Sequence, residues 1–163
     1  SSMIDNGVKE GAVVRCGGKA PPNLPEPYNK GYYYEPTIVE VSTEHEIWKE
    51  EIFGPVVVAL KFKTEEEAIA LANDSQYGLA AAIWTKDVMR AHRVANHMDV
   101  GIVWINDHHR NDPSSPWGGT KNSGVGRENG LNALHEYTQA RSVVVRMDDS
   151  KFDWFEQPEA RYS

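Results

Sequence analysis

The sequence predicts an α/β fold built on parallel strands, and three observations carry that prediction. Residues 56–62, 79–84 and 101–105 are apolar runs of strand length. The segments between them hold apolar residues at helical spacing: Ala68, Ile69, Leu71 and Ala72 in the first, and Val88, Ala91, Val94, Ala95 and Met98 in the second. The resulting order of strand, helix, strand, helix, strand (βαβαβ) favours a parallel sheet with helices packed on its faces and joined by right-handed crossovers.

Each element has a local reason. Met3, Ile4 and Val8 mark a short helix near the N-terminus, and residues 12–14 follow as a brief apolar stretch. The proline-rich segment 20–27 can continue neither a helix nor a central strand and reads as a surface connection. Residues 37–41 alternate apolar and polar like a half-buried strand, and 44–51 form an acidic segment carrying Trp48. Thr64, with Glu67 three positions on, supplies a capping box for the helix that follows the 56–62 strand. Asn73 to Gly78 then punctuates the chain. Residues 106–126 show neither period and are rich in Asn, Asp, Ser, Pro and Gly. A long irregular stretch leaving the carboxyl end of a strand is where an open α/β sheet binds ligands. Residues 127–137 suit a helix, 142–147 an apolar strand, and Phe152, Trp154 and Phe155 suggest that the polar tail docks. No internal repeat or low-complexity segment is present.

Composition narrows the function classes. The chain has 163 residues, 40% of them hydrophobic and 25% charged with both signs interspersed, which fits a globular domain or part of one. Seventeen Lys and Arg against 24 Asp and Glu leave a net charge of -7, which argues against nucleic acid and anionic membranes as partners. No apolar run approaches the roughly 20 residues of a membrane-spanning helix. The one cysteine, Cys16, excludes an internal disulfide and a zinc site built on several cysteines, and the absence of a leader pattern makes a reducing, cytoplasmic setting the expectation.

Several constellations can carry chemistry. Glu51-Ile52-Phe53-Gly54-Pro55 places a carboxylate before a Gly-Pro turn that opens a strand; it can accept hydrogen bonds from a hydroxyl pair while Phe53 packs on a flat ring. The alternative is a solvated acidic turn with Phe53 in the core. Trp117 to Glu128 holds glycines 118, 119, 124 and 126 ahead of a helix, so it is either an anion cradle or a tight surface turn; its spacing matches neither the dinucleotide fingerprint nor the P-loop. His108 and His109, with Asp107 and Asp112, offer too few ligands for a metal, and adjacent side chains in an extended loop point apart. Cys16 has no predicted base beside it and reads as a packing residue. His45, His92, His97 and His135 lack any partner pattern.

Taken in order, the Glu51 to Pro55 segment, Asn73 to Ala81, Val103-Trp104-Ile105-Asn106, and Pro116 to Gly119 continuing through Lys121 to Glu128 resemble the C-terminal part of the aldehyde dehydrogenase superfamily, loosely its betaine-, amino- or aryl-aldehyde branches. The resemblance covers Ile4 to about Met147. It implies that Glu51 holds the ribose hydroxyls of NAD or NADP, and that Phe53 lies near the nicotinamide. It likewise implies that Asn111 to Trp117 wall the aldehyde pocket, and that backbone at Lys121 and Gly124 lies where some members hold potassium. Residues 1–141 then correspond to the end of a catalytic domain, and 142–163 to a self-association strand and tail.

Family members oxidise an aldehyde through a thiohemiacetal and thioester on a cysteine, with a glutamate activating water. In relatives both residues, and the main dinucleotide-binding domain, precede the Glu51 segment. The expectation is therefore a fragment of the enzyme, inactive alone, with no catalytic residue of its own. The alternatives are a non-catalytic self-association module on the same scaffold, or a proteolytic remnant.

Overall fold

The computed structural model describes residues 2–147, 149 and 155 and is mixed α/β with parallel strands. Helix α1 (Ser2–Lys9) buries Ile4 and Gly7 and leaves Val8 exposed, then β1 (Val13–Cys16) pairs antiparallel with β2 (Thr37–Glu40). A four-residue helix, α2 (Glu46–Lys49), crosses to β3 (Val56–Ala59), which pairs in parallel with β2. Ile4, Ala12, Val39, Val41 and Ile47 form a buried cluster, flanked by Val14, Val56 and Val58. Period-two alternation puts Val39 fully inside and Ile38 outside. Thr37, buried among these residues, is satisfied: its Oγ1 donates to the Glu35 carbonyl at 2.7 Å and accepts from the Gly18 amide at 2.8 Å. Between β1 and β2 the proline-rich segment runs over the surface as expected, ending in a single 3-10 turn at Tyr28–Lys30.

The capping box forms with a shift. Thr64 Oγ1 accepts from the Glu67 amide, but the Glu67 carboxylate reaches the amide of Lys63 rather than that of Thr64. Helix α3 (Glu65–Asn73) is followed by β4 (Tyr77–Gly78), β5 (Ala80–Ile83), α4 (Val88–Ala95) and β6 (Ile102–Ile105). β5 and β6 pair in parallel across α4. Glu65 ties α3 to α4, accepting from Arg93 at 2.6 Å and from Arg90 at 3.1 Å.

The expected βαβαβ run is divided. β3 bonds to β2, and β5 bonds to β6, with no ladder between the two sheets among the described residues. Apolar patterning reports which face of a strand is buried but not which neighbour it bonds. The crossover through α2 leaves no sequence signal, because four residues show no helical period.

Near the C-terminus the expected helix forms with a later start, and the expected strand finds no partner within the chain. The helix predicted over 127–137 is α5 (Gly130–Glu136), because Glu128 is held extended against Trp117, and Asn129 and Gly130 take positive φ. Residues 142–147 form no strand; Val143, Val144, Val145 and Met147 are exposed, and no other described strand lies beside them to supply a ladder. The tail aromatics Phe152 and Trp154 lie outside the described residues.

Hydrogen bonding from Arg93, with Arg90 also contributing, holds the Glu65 carboxyl below its ordinary 4.5. A depressed folded-state value means this stability is present above the ordinary value and lost as pH falls through the lower one. Chain stability should therefore hold at mildly acidic pH and decline below about pH 4.5, and Glu65→Gln should flatten that part of the decline in thermal melts.

Candidate functional site

The turn after α2 carries the first part of the site. Ile52 packs against the core cluster, whereas Glu51 is exposed and Phe53 is 92% exposed. The alternation of an extended backbone thus turns Ile52 inward and its two neighbours outward, and the reading that buried Phe53 does not hold. Among the described residues no hydrogen bond or ion pair engages the Glu51 carboxylate. The turn is fixed behind it: the Val56 amide donates to the Gly54 carbonyl at 2.8 Å, and Thr37 donates to the Pro55 carbonyl at 2.9 Å. A rigid turn thus presents a free acceptor pair and a bare aromatic ring to solvent, an arrangement suited to a vicinal diol beside a flat heterocycle.

The second part is the loop leaving β6. Asn106, at φ 55, clamps Thr85 twice, its Oδ1 accepting from the Thr85 amide at 2.8 Å and its Nδ2 donating to the Thr85 carbonyl at 2.9 Å. That clamp redirects the chain at the end of the strand. The Trp104 indole then donates to the Arg110 carbonyl at 2.8 Å, folding the loop back over the strand. Asp112 accepts from the Ser114 amide and hydroxyl, and these two bonds, the amide first, hold its carboxyl below the ordinary range. Trp117 and Glu128 exchange backbone hydrogen bonds of 2.7 Å, closing the loop.

His109 has φ 57, a left-handed backbone that brings its ring back over the strand. Trp104, His108, His109 and Trp117 consequently share one cluster, with ring centroids 5.6 to 6.2 Å apart. The expectation that adjacent histidines point apart fails here, because it assumed an extended loop. Nothing in the residue types announces a positive φ at a histidine. Asn111 is exposed two residues beyond His109. The two parts of the site stand on separate loops, and no described bond joins Glu51 or Phe53 to Trp117.

The glycine-rich segment is a packed turn rather than an open cradle. β7 (Thr120–Lys121) pairs antiparallel with β4, and Arg127 Nη1 donates to the carbonyls of Gly119 and Gly126, each at 2.7 Å. Lys121 directs its ammonium to the Asn73 carbonyl at 2.9 Å, the Ser75 carbonyl at 3.1 Å and Asp99 at 3.2 Å, so all three of its donors are used. Its side chain is only 22% exposed. Lys121→Met strands two carbonyls at the end of α3 and should cost about 1.5–3 kcal/mol in urea unfolding; an unchanged midpoint would contradict that role. Gly124 has open space around it. No group of three or more His, Cys, Asp or Glu suited to a metal occurs among the described residues. Cys16 is free and exposed on β1, not the buried or half-buried packing residue expected, with its thiol 3.8 Å from the Pro36 carbonyl and no base in contact among the described residues.

Known proteins resemble this chain in sequence and in fold. The model of the "Aldehyde dehydrogenase family" matches residues 1–143. A chloroplastic betaine aldehyde dehydrogenase of Atriplex hortensis is 44% identical over 96% of this chain and 30% of its own length. The crystal structure of PnpE from Pseudomonas sp. WBC-3 superposes with a TM-score of 0.87 at 43% identity, covering 95% of this chain and 31% of that one. Betaine aldehyde dehydrogenase from Staphylococcus aureus, solved in complex with NAD+, gives 0.78 at 48% identity over 83% of this chain and 27% of that one. The chain thus spans about 30% of the length of the curated relative.

Proposed function

This chain belongs to the aldehyde dehydrogenase family, and we propose that it is the C-terminal part of an NAD(P)-dependent enzyme that oxidises an aldehyde to a carboxylic acid. The observation that carries this reading is the turn at Glu51 and Phe53, which holds an unengaged carboxylate and a bare ring outward on a backbone fixed by the core. Bound there, NAD(P)+ would supply the hydride acceptor. Glu51 would hold the ribose hydroxyls, Phe53 would limit the swing of the nicotinamide, and Asn111 and Trp117 would wall the aldehyde. The chain alone is inactive in this account, since Cys16 sits on a strand without a base beside it. The open sheet face, where Val57 is 63% and Ile38 44% exposed, supports a larger body of protein packed against it.

The test is hydride transfer by the full-length polypeptide that carries this chain, followed as NADH absorbance with a panel of aldehydes. NADH formation supports the reading. Its absence with every aldehyde contradicts it.

Self-association belongs to the same proposal. Val143, Val144, Val145 and Met147 are exposed, and an unpaired apolar segment invites a ladder with a second copy. Light scattering should show an oligomer that Val144→Lys weakens at least tenfold; a monomer at all concentrations would count against it. The net charge of -7 supports the exclusion of nucleic acid as a partner, and no helix among the described residues is long and apolar enough to cross a membrane. A cytoplasmic setting is part of the proposal, supported by the free, exposed Cys16.

A further inference from the structure

The turn that presents Glu51 leaves a helix too short to hold itself. Helix α2 has a single turn, in which the Trp48 amide donates to the His45 carbonyl and the Glu50 amide to the Glu46 carbonyl, each at 3.1 Å. Its middle is fixed by Ile47, buried in the core cluster. The far side of the Glu51 turn is tied to β2, since the Thr37 amide donates to the Pro55 carbonyl. The near side, at Glu50, is bonded back to α2 alone among the described residues. The contacts that hold the start of α2 therefore set the direction in which the chain leaves it toward Glu51.

Two side chains hold that start. Glu10 Oε2, from the turn after α1, accepts from the Glu46 amide at 3.0 Å. His45 closes a reciprocal pair: its amide donates to the Ser42 carbonyl at 3.3 Å, and its Nδ1 accepts from the Ser42 amide at 3.1 Å. A backbone amide can only donate, so this bond requires a ring without a proton on Nδ1. The ring is half-buried against the turn after α1, with Nε2 3.8 Å from where a β-carbon on Gly11 would lie. Imidazole is the side chain whose charge ordinarily changes between about pH 5 and 8. A proton on Nδ1 sets two donors face to face and leaves the Ser42 amide without its acceptor.

The charged groups of the elements packed here are Glu44, Glu46 and Lys49 on the same segment, and Asp5, Lys9 and Glu10 on and just after α1. The acids favour a charged ring and the lysines oppose it. Among the described residues no bond joins Glu10, Glu44 or Glu46 to the imidazole, so the contact that protonation breaks is the one to Ser42.

We propose that His45 is a positioning residue for Glu51: the neutral ring fastens the start of α2, and the protonated ring releases it and displaces Glu51 from the cofactor. The proposal rests on the dehydrogenase reading above. The experiment follows single-turnover hydride transfer to NAD+ by the full-length polypeptide at about pH 8 and about pH 5.5, with the panel aldehyde that gives the fastest NADH formation. It compares wild type with His45→Asn, whose Oδ1 accepts a hydrogen bond without titrating, and with His45→Ala, which offers no acceptor. Each is repeated together with Glu51→Gln.

On going to the lower pH the wild-type rate should fall about fivefold more than that of His45→Asn, and His45→Ala should be about fivefold slower than wild type already at the higher pH. With Glu51→Gln present, His45 and its two variants should share one rate and one pH dependence, because the effect passes through Glu51. Equal pH dependence in wild type and His45→Asn overturns the proposal. So does a His45→Ala rate equal to wild type at the higher pH, or an extra acid loss that survives Glu51→Gln. These three results leave the dehydrogenase reading standing, whereas no NADH from the wild-type polypeptide with any aldehyde removes both.

Discussion

Glu51→Gln in the full-length polypeptide should lower the single-turnover rate of hydride transfer by about tenfold to a hundredfold, with a much smaller change in the affinity for NAD(P)+. The substitution keeps the shape of the side chain and removes its charge. An amide presents one acceptor oxygen where the carboxylate presents two, so a vicinal diol is gripped by one bond instead of two. A ribose that pivots carries the nicotinamide with it, and a displacement on the order of 1 Å at the reacting carbon is enough for a hundredfold loss. The fold should not respond, because Glu51 is exposed and Ile52, not Glu51, anchors the turn to the core. Rapid-mixing measurement of NADH formation with equal melting temperatures separates the two effects. An unchanged single-turnover rate would remove Glu51 from the site.

The second large effect is expected at Gly101. Its amide donates to the Gly78 carbonyl at 3.0 Å where β4 meets the start of β6, and its α-carbon lies against the backbone of the Gly118-Gly119 turn. A β-carbon there would overlap the Gly118 carbonyl oxygen and sit 3.1 Å from the Gly119 α-carbon. Every obstructing atom is backbone, so no side chain can swing aside. Gly101→Ala must push the turn away from β6, which displaces Trp117, and overpacking of this kind costs about 1–3 kcal/mol or more. In a chain of this size the melting temperature should fall by roughly 3–10 °C, and the Trp117 contact with Trp104 and His109 should loosen. An unchanged melt would contradict this close approach.

The sequence foretold those parts of the fold that depend on local chemistry. Thr64 and Glu67 announce the start of α3 because a cap needs only residues a few positions apart. The apolar runs announce β3, β5 and β6 because burial leaves its mark on composition. Pairing was not legible in the same way: β3 joins β2 through a crossover of four helical residues, and β4 with β7 involves two residues each. The site divides along the same line. The turn at Glu51 and Phe53 could be placed from its Gly-Pro signal, and the structure adds which neighbour faces the core. The His109 contact could not, since it depends on a positive φ within a loop pinned by Asn106 to Thr85 and by Trp104 to Arg110. The role of the Lys121 side chain was equally illegible, since its ammonium reaches the Asn73 and Ser75 carbonyls, more than forty residues away in the chain.

The central claim is that this chain carries the cofactor-positioning carboxylate and the aldehyde wall of a dehydrogenase, while the nucleophile lies in another part of the enzyme. The most direct test is NADH formation by the purified 163-residue chain supplied with NAD+ and an aldehyde, beside the full-length polypeptide and its Cys16→Ser variant. The account predicts no turnover by the chain alone, and equal turnover by the full-length polypeptide with or without Cys16. Turnover by the isolated chain, or its abolition in the full-length polypeptide by Cys16→Ser, would contradict it.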